Sequence, residues 1–273
     1  MTRRLHHLRV GTAGVRMTFC HGLFGQGRNW HQIAKALSGP NQDRARCLLL
    51  DLPDHGRSPW SMAFSVEAYA DAVAFELRRW NQGEPGVLVG HSLGGKVAML
   101  VALAHPDLVR RLAVVDIAPR HYRAGRWYLD YIAAMKAIPL EHLSSRSEAD
   151  RALAETVPDP TVRAFLLQNL RQHQGKWYWQ ANLDGLAELG TRRSSPAGWP
   201  AAEVASYPAY PKPVLWIAGS ESGYVTHHDE AAMKALFPKV RQITVKGAGH
   251  WVHTEAPEVM IEALRRFARI PAH

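Results

Sequence analysis

The chain has 273 residues, a 47% apolar share and a 21% charged share, which excludes wholesale disorder and supplies a sizeable core for one domain with an insertion. No apolar run approaches the roughly 18 to 20 residues of a membrane helix, and no secretory leader pattern follows the charged start. The formal charge of +9 comes from arginines scattered in pairs, without a like-charged block or a nucleic-acid motif. It reads as a solvated basic surface with at most a mild preference for anionic substrates.

Short apolar runs alternate with longer helical patterns, as in a parallel sheet covered by helices on both faces. In chain order, strands are expected at Val15–Cys20, Cys47–Leu50, Gly86–Gly90, Leu112–Ile117, Val214–Ala218 and Val240–Val245. Helices are expected over Asn29–Leu37, Val66–Trp80, Leu93–Ala104 and Pro257–Arg269. In the second of these, Tyr69, Val73 and Leu77 recur at spacing four and form one buried stripe. The alternation breaks between Pro119 and about Pro211, a stretch without a clear strand that carries Trp127, Tyr128, Tyr131, Trp177, Tyr178 and Trp179. Its end, from Ser194-Ser195-Pro196 to Pro213, is rich in turn residues. The resulting organisation is a core of residues 1–118 and 211–273, with a helical cap at 119–210. Cys20 and Cys47 stand in or beside strands and read as buried reduced thiols, so the cytoplasm is the default location.

Gly90-His91-Ser92-Leu93-Gly94-Gly95 lies directly after an expected strand and directly before an expected helix. Small residues two before and two after a serine permit a sharp turn that exposes its hydroxyl near a helix N-terminus. A bare Gly-x-Ser-x-Gly also arises by chance, with the serine merely capping a helix, but here the strand and helix favour a nucleophile. His21-Gly22-Leu23-Phe24-Gly25 closes the first expected strand. The amides of Leu23 and Leu93 are the expected pair of donors for a tetrahedral oxyanion, with Phe24 beside them against the substrate. His21 reads as a loop-fixing residue. His250, on the small-residue loop Lys246-Gly247-Ala248-Gly249 after the last strand, is the expected base. His253 reads as a supporting or surface residue, and His91 as a neighbour whose side chain turns away.

These segments, with Asp51-Leu52-Pro53-Asp54-His55-Gly56-Arg57-Ser58, occur in the order seen in the α/β-hydrolase superfamily, which the chain resembles. Asp51 reads as structural. The family's usual acid position, in a Gly-x-x-Asp pattern, is Ser222 in Gly219-Ser220-Glu221-Ser222, and serine cannot balance an imidazolium. The acid is therefore expected at Asp116, at the end of an apolar strand, with Glu221 as the alternative. Val115–Pro119, Gly95-Lys96, Asn182-Leu183-Asp184 and the Ser222 replacement resemble the YbfF-type esterases. That resemblance implies Ser222 as a fourth hydrogen-bonding member beside Ser92, Asp116 and His250.

The implied activity is hydrolysis of short- or medium-chain acyl esters or thioesters. Trp127, Tyr128, Trp177 and Trp179 are candidates for an acyl pocket, Trp127 and Trp179 foremost, with core packing as their alternative. No metal or organic cofactor is implied, the partner is a small ester, and oligomeric state is left open. A serine at position 92 disfavours dehalogenase and epoxide hydrolase chemistry, which need a carboxylate there. Cofactor-free haloperoxidase, perhydrolase or carbon–carbon hydrolase activity keeps the same residues, and an intact Ser, His and Asp set argues against a non-catalytic binding protein.

Overall fold

The computed structural model describes residues 4–61, 64–122, 127–191 and 199–271. The turn reading at Ser194–Pro196 and the arginines Arg3, Arg192 and Arg193 fall outside them.

The chain opens with β1 (His7–Val10), β2 (Val15–Cys20), α1 (His31–Ser38), β3 (Ala45–Leu50) and α2 (Val66–Asn81). β4 (Gly86–His91), α3 (Leu93–Ala104) and β5 (Val109–Val115) follow. After them come α4 (Trp127–Lys136), α5 (Arg146–Leu153), α6 (Pro160–Leu167), β6 (Leu170–His173), β7 (Lys176–Trp179), α7 (Leu183–Thr191) and α8 (Ala201–Val204). β8 (Val214–Gly219), α9 (Glu230–Leu236), β9 (Val240–Val245), α10 (Val252–Glu255) and α11 (Pro257–Ala268) complete the described elements.

Seven strands form one sheet in the order β1-β3-β2-β4-β5-β8-β9, parallel except for the antiparallel edge strand β1. Both faces are covered, which is why β4 is buried at every position and reads as a continuous apolar run. One face packs on α2 and α3 through Tyr69, Val73, Leu77 and Val97. The other packs on α1 and α11 through Trp30, Ile33, Met260 and Leu264. The expected strands and core helices are all present, with ends shifted by a few residues.

Three differences have physical causes. β1 was not expected because its four residues include an exposed arginine and a histidine, and it joins only as an edge. The stretch expected to be strandless contains the β6–β7 hairpin, turned by Gln174 and Gly175 in left-handed conformations. β6 is half exposed and polar, and the aromatic run of β7 is only three residues long, so neither shows the longer pattern that marks a strand. Finally, β5 begins at Val109 and ends at Val115, so Asp116 lies just beyond the strand with φ of 50°.

The register of the parallel strands aligns their C-terminal ends: Cys20 with Gly90, His91 with Val115, and Gly219 with Val245. The loops that follow these residues therefore meet at one rim of the sheet, where open α/β sheets place ligands.

Candidate active site

Ser92 sits at the tip of the turn from β4 into α3 with φ of 52° and ψ of −117°, a conformation that L-residues rarely adopt. The turn is as tight as it is because nothing occupies the space beside Gly90 and Gly94. A Cβ on Gly90 would meet the Gly94 carbonyl oxygen at 2.2 Å, and one on Gly94 would meet the His21 carbonyl oxygen at 2.4 Å. The Ser92 amide donates to the Val115 carbonyl at 3.0 Å, which fixes the turn against β5. The N-terminus of the twelve-residue α3 starts at Leu93, so negative charge developing beside Ser92 is favoured.

Ser92 Oγ lies 3.0 Å from His250 Nε2, and His250 Nδ1 lies 2.7 Å from Asp116 Oδ2. With the carboxylate accepting from Nδ1–H, Nε2 is the ring's acceptor, and the Ser92 hydroxyl donates to it. Asp116 is fully buried. An unpartnered carboxylate there would be expensive, but three donors surround this one. Besides His250, Ser222 Oγ donates to Oδ2 at 2.5 Å and the Gly219 amide donates to Oδ1 at 3.0 Å. Ser222 thus joins Ser92, His250 and Asp116 in one connected network. The alternative acid, Glu221, is outside it: its carboxylate accepts from Ser220 Oγ.

The loop after β2 forms the facing wall. Leu23 and Phe24 line the pocket beside Ser92, and among the described residues the amides of Leu23 and Leu93 have no protein acceptor. His21 holds this loop as expected, donating from Nδ1 to the Gly22 carbonyl at 2.7 Å and accepting the Leu52 amide at Nε2 at 3.0 Å. Burial pushes its pKa down, so it stays neutral and keeps both bonds. Asp51 is structural, accepting from the amides of Gly27 and Arg57.

One expectation about the neighbourhood is corrected, and an open one is resolved. His91 does not turn away; its Nε2–H donates to the His250 carbonyl at 2.8 Å, and its ring lies 4.7 Å from that of His250. Of the two roles open for His253, it takes the supporting one: it is buried, stacked on Trp30 at 4.6 Å and tilted against His91 at 4.6 Å. Together these rings form the floor under the base.

The pocket over Ser92 is narrow, about 30 Å³, and is walled by Trp127, Tyr131, Val162, Phe165, Leu166 and Trp251 among others. Trp127 therefore lies where expected. Trp179 does not, because its indole N–H donates to the Met135 carbonyl at 3.1 Å and anchors the hairpin to α4. Trp177 and Tyr128 are likewise packing residues of that region, not pocket walls.

Three residues have roles that were not foreseen. Tyr224 stacks on the His250 ring at 4.0 Å and 24°, but an isolated tyrosine two residues after Ser222 has no sequence signature. Asn169, fully buried, donates to the Phe24 carbonyl at 2.8 Å and accepts from Gln26 at 3.0 Å, tying the inserted region to the loop beside Ser92. Asn182 does the same on the other side, donating from its side chain to Asp54 at 2.8 Å.

Comparison with known proteins agrees with this geometry. Residues 16–257 match the family model described as alpha/beta hydrolase fold. The chain is 38% identical to the sn-1-specific diacylglycerol lipase ABHD11 of Mus musculus, over 92% of this chain and 80% of that protein. It is 29% identical to the esterase YbfF of Escherichia coli, over 90% of each chain. Among solved structures, a marine microorganism esterase superposes with a TM-score of 0.86 at 30% identity, covering 97% of this chain and 99% of the other. The chain belongs to the α/β-hydrolase fold family, in the branch that holds these esterases and lipases.

Proposed function

We propose that the protein is a serine hydrolase of carboxylic esters that works through an acyl-enzyme on Ser92. The observation that carries this reading is the unbroken hydrogen-bonded chain from Ser92 through His250 to Asp116, beside the Leu23 and Leu93 amides, which have no protein acceptor among the described residues.

In the first step His250 Nε2 takes the Ser92 proton as Oγ attacks the ester carbonyl. The oxyanion is held by the amides of Leu23 and Leu93, and losing one such donor costs about 10² to 10³ in rate. His250 then gives its proton to the leaving alcohol or thiol, and the ester bond breaks. In the second step His250 takes a proton from water as it attacks the acyl carbon, then returns that proton to Ser92 Oγ as the acyl–oxygen bond breaks, and the free acid leaves. Asp116 keeps Nδ1 protonated and balances the imidazolium, Ser222 and Gly219 hold Asp116 in place, and Tyr224 packs over the charged ring.

Residues 119–210 act as the cap of this site, joined to the core through Asn169 and Asn182. Phe24, Trp127, Phe165 and Leu166 bound the acyl group. A cavity of about 30 Å³ holds only about two waters, which favours short acyl chains. A series of p-nitrophenyl esters tests both points. Hydrolysis of acetate and butyrate esters well ahead of decanoate and palmitate is expected, whereas no turnover of any ester, or a preference for the longest, would refute the reading.

A further inference from the structure

The opposite edge of the sheet carries a second cleft with a different chemistry. It has a volume of about 800 Å³ and is lined by Arg16, Arg44, Arg46, Arg110 and Arg269, against the carboxylates of Asp43 and Glu84. These residues lie at or near the starts of β2, β3 and β5 and just past the end of α11. Six-residue strands rising about 3.3 Å per residue separate this edge from the Ser92 rim by roughly 17–20 Å.

Part of the positive charge here is not consumed internally. Glu84 pairs with Arg16, but among the described residues Arg46, Arg110 and Arg269 form no ion pair. The Nε donors of Arg16 and Arg46 are buried and lack an acceptor. Burial, Arg269 and Arg110 together push the neighbouring Arg111 guanidinium down in pKa, as expected where like charges crowd. The C-termini of α1 and α11 end nearby and contribute about half a negative charge each, too little to balance the guanidinium groups. An adjoining cleft of about 400 Å³ shares Arg46 and adds Arg79 and Arg9, the latter 5.3 Å over the Trp80 ring.

We propose that this cleft binds a ligand bearing two or more adjacent phosphate groups, held by Arg46, Arg110 and Arg269. Guanidinium forks match phosphate oxygens two at a time. Several forks converging on one cleft require several anionic oxygens at close spacing, which a monocarboxylate cannot present. The volume lies within the range for small-molecule sites.

Titration calorimetry at low ionic strength, with pyrophosphate, ADP and acetate as probes, tests the proposal beside cosedimentation with phosphatidylglycerol vesicles. The wild type is expected to bind pyrophosphate or ADP, with acetate not detected. The Arg46→Ser/Arg110→Ser/Arg269→Ser variant should bind at least tenfold more weakly, with p-nitrophenyl acetate hydrolysis unchanged. The double variant Arg110→Ser/Arg269→Ser, which leaves half-buried Arg46 in place, should also lose affinity and guards against a folding defect. Vesicle binding that pyrophosphate displaces would support the same site, with neighbouring headgroups in the membrane plane supplying the adjacent phosphates. Absence of binding to pyrophosphate, ADP and vesicles would overturn the proposal, as would undiminished binding by both variants. So would oligonucleotide binding that pyrophosphate cannot displace.

Discussion

Replacing Asp116 with asparagine separates charge from shape at the centre of the network. The Gly219 amide donates to Oδ1, so an asparagine must keep its carbonyl oxygen on that side or set two N–H donors against each other at 3.0 Å. Its NH₂ group then occupies the Oδ2 position, facing Ser222 Oγ and His250 Nδ1. The serine hydroxyl can rotate to accept. His250 can accept only by moving its proton to Nε2, and that nitrogen can then no longer take the proton of Ser92, 3.0 Å away. The wrong tautomer is expected to cost about 10⁴ in kcat, or about 5 kcal/mol of transition-state stabilisation. KM for a short ester and thermal stability should change little, because the amide fits the same space and removes a buried charge. Steady-state kinetics with p-nitrophenyl butyrate, read beside a thermal melt, measures both. A variant retaining more than a tenth of wild-type kcat would refute the assignment of Asp116, and a collapse of activity in Glu221→Gln would transfer the role to Glu221.

Other perturbations probe the surroundings. Ser222→Ala removes one of the donors to a buried carboxylate, a bond class worth about 1.5–3 kcal/mol. Part of that is expressed in the transition state, so kcat should fall about tenfold with KM unchanged, and an unaltered kcat would deny Ser222 a part. Phe165→Ala and Leu166→Ala enlarge the pocket, and the preferred ester should lengthen by several carbons; an unchanged chain-length profile would place the acyl group elsewhere. His21, His55, His91 and His253 are all held neutral by burial, His253 with its pKa pushed down to about 3. Above the unfolded value near 6.5 their full contribution to stability is present. As pH falls below 6.5 the unfolded chain takes up protons that the native state refuses, costing about 1.4 kcal/mol per histidine per pH unit. Urea midpoints should therefore drop steeply between pH 7 and 5, and a flat profile would contradict the buried neutral rings.

What could be read from the residues was what local geometry dictates. Gly90 and Gly94 had to be small because backbone oxygens stand 2.2 and 2.4 Å from where a Cβ would be, and that requirement marks Ser92 in the sequence itself. Fully buried strands such as β4 announce themselves as apolar runs. Ser222 in place of an aspartate pointed to Asp116, a carboxylate stranded at the end of an apolar strand. The β6–β7 hairpin escaped because β6 is polar and half exposed, and the three aromatics of β7 are too short a run to mark a strand. Trp179, Tyr224 and Asn169 were misjudged or missed for a common reason. Their roles depend on contacts 26 to 145 residues away in sequence, with Met135, His250 and Phe24, and composition carries no record of those pairings. His91 and His253 show the same limit, since only the fold brings their rings beneath His250.

Labelling with a fluorophosphonate followed by intact-mass and peptide analysis tests the nucleophile most directly. The wild type should gain one adduct, mapped to the peptide containing Ser92, and His250→Ala should label at least 10³-fold more slowly. Ser92→Ala should gain none. An undiminished adduct on Ser92→Ala, or a wild-type adduct on any other serine, would contradict the assignment of Ser92.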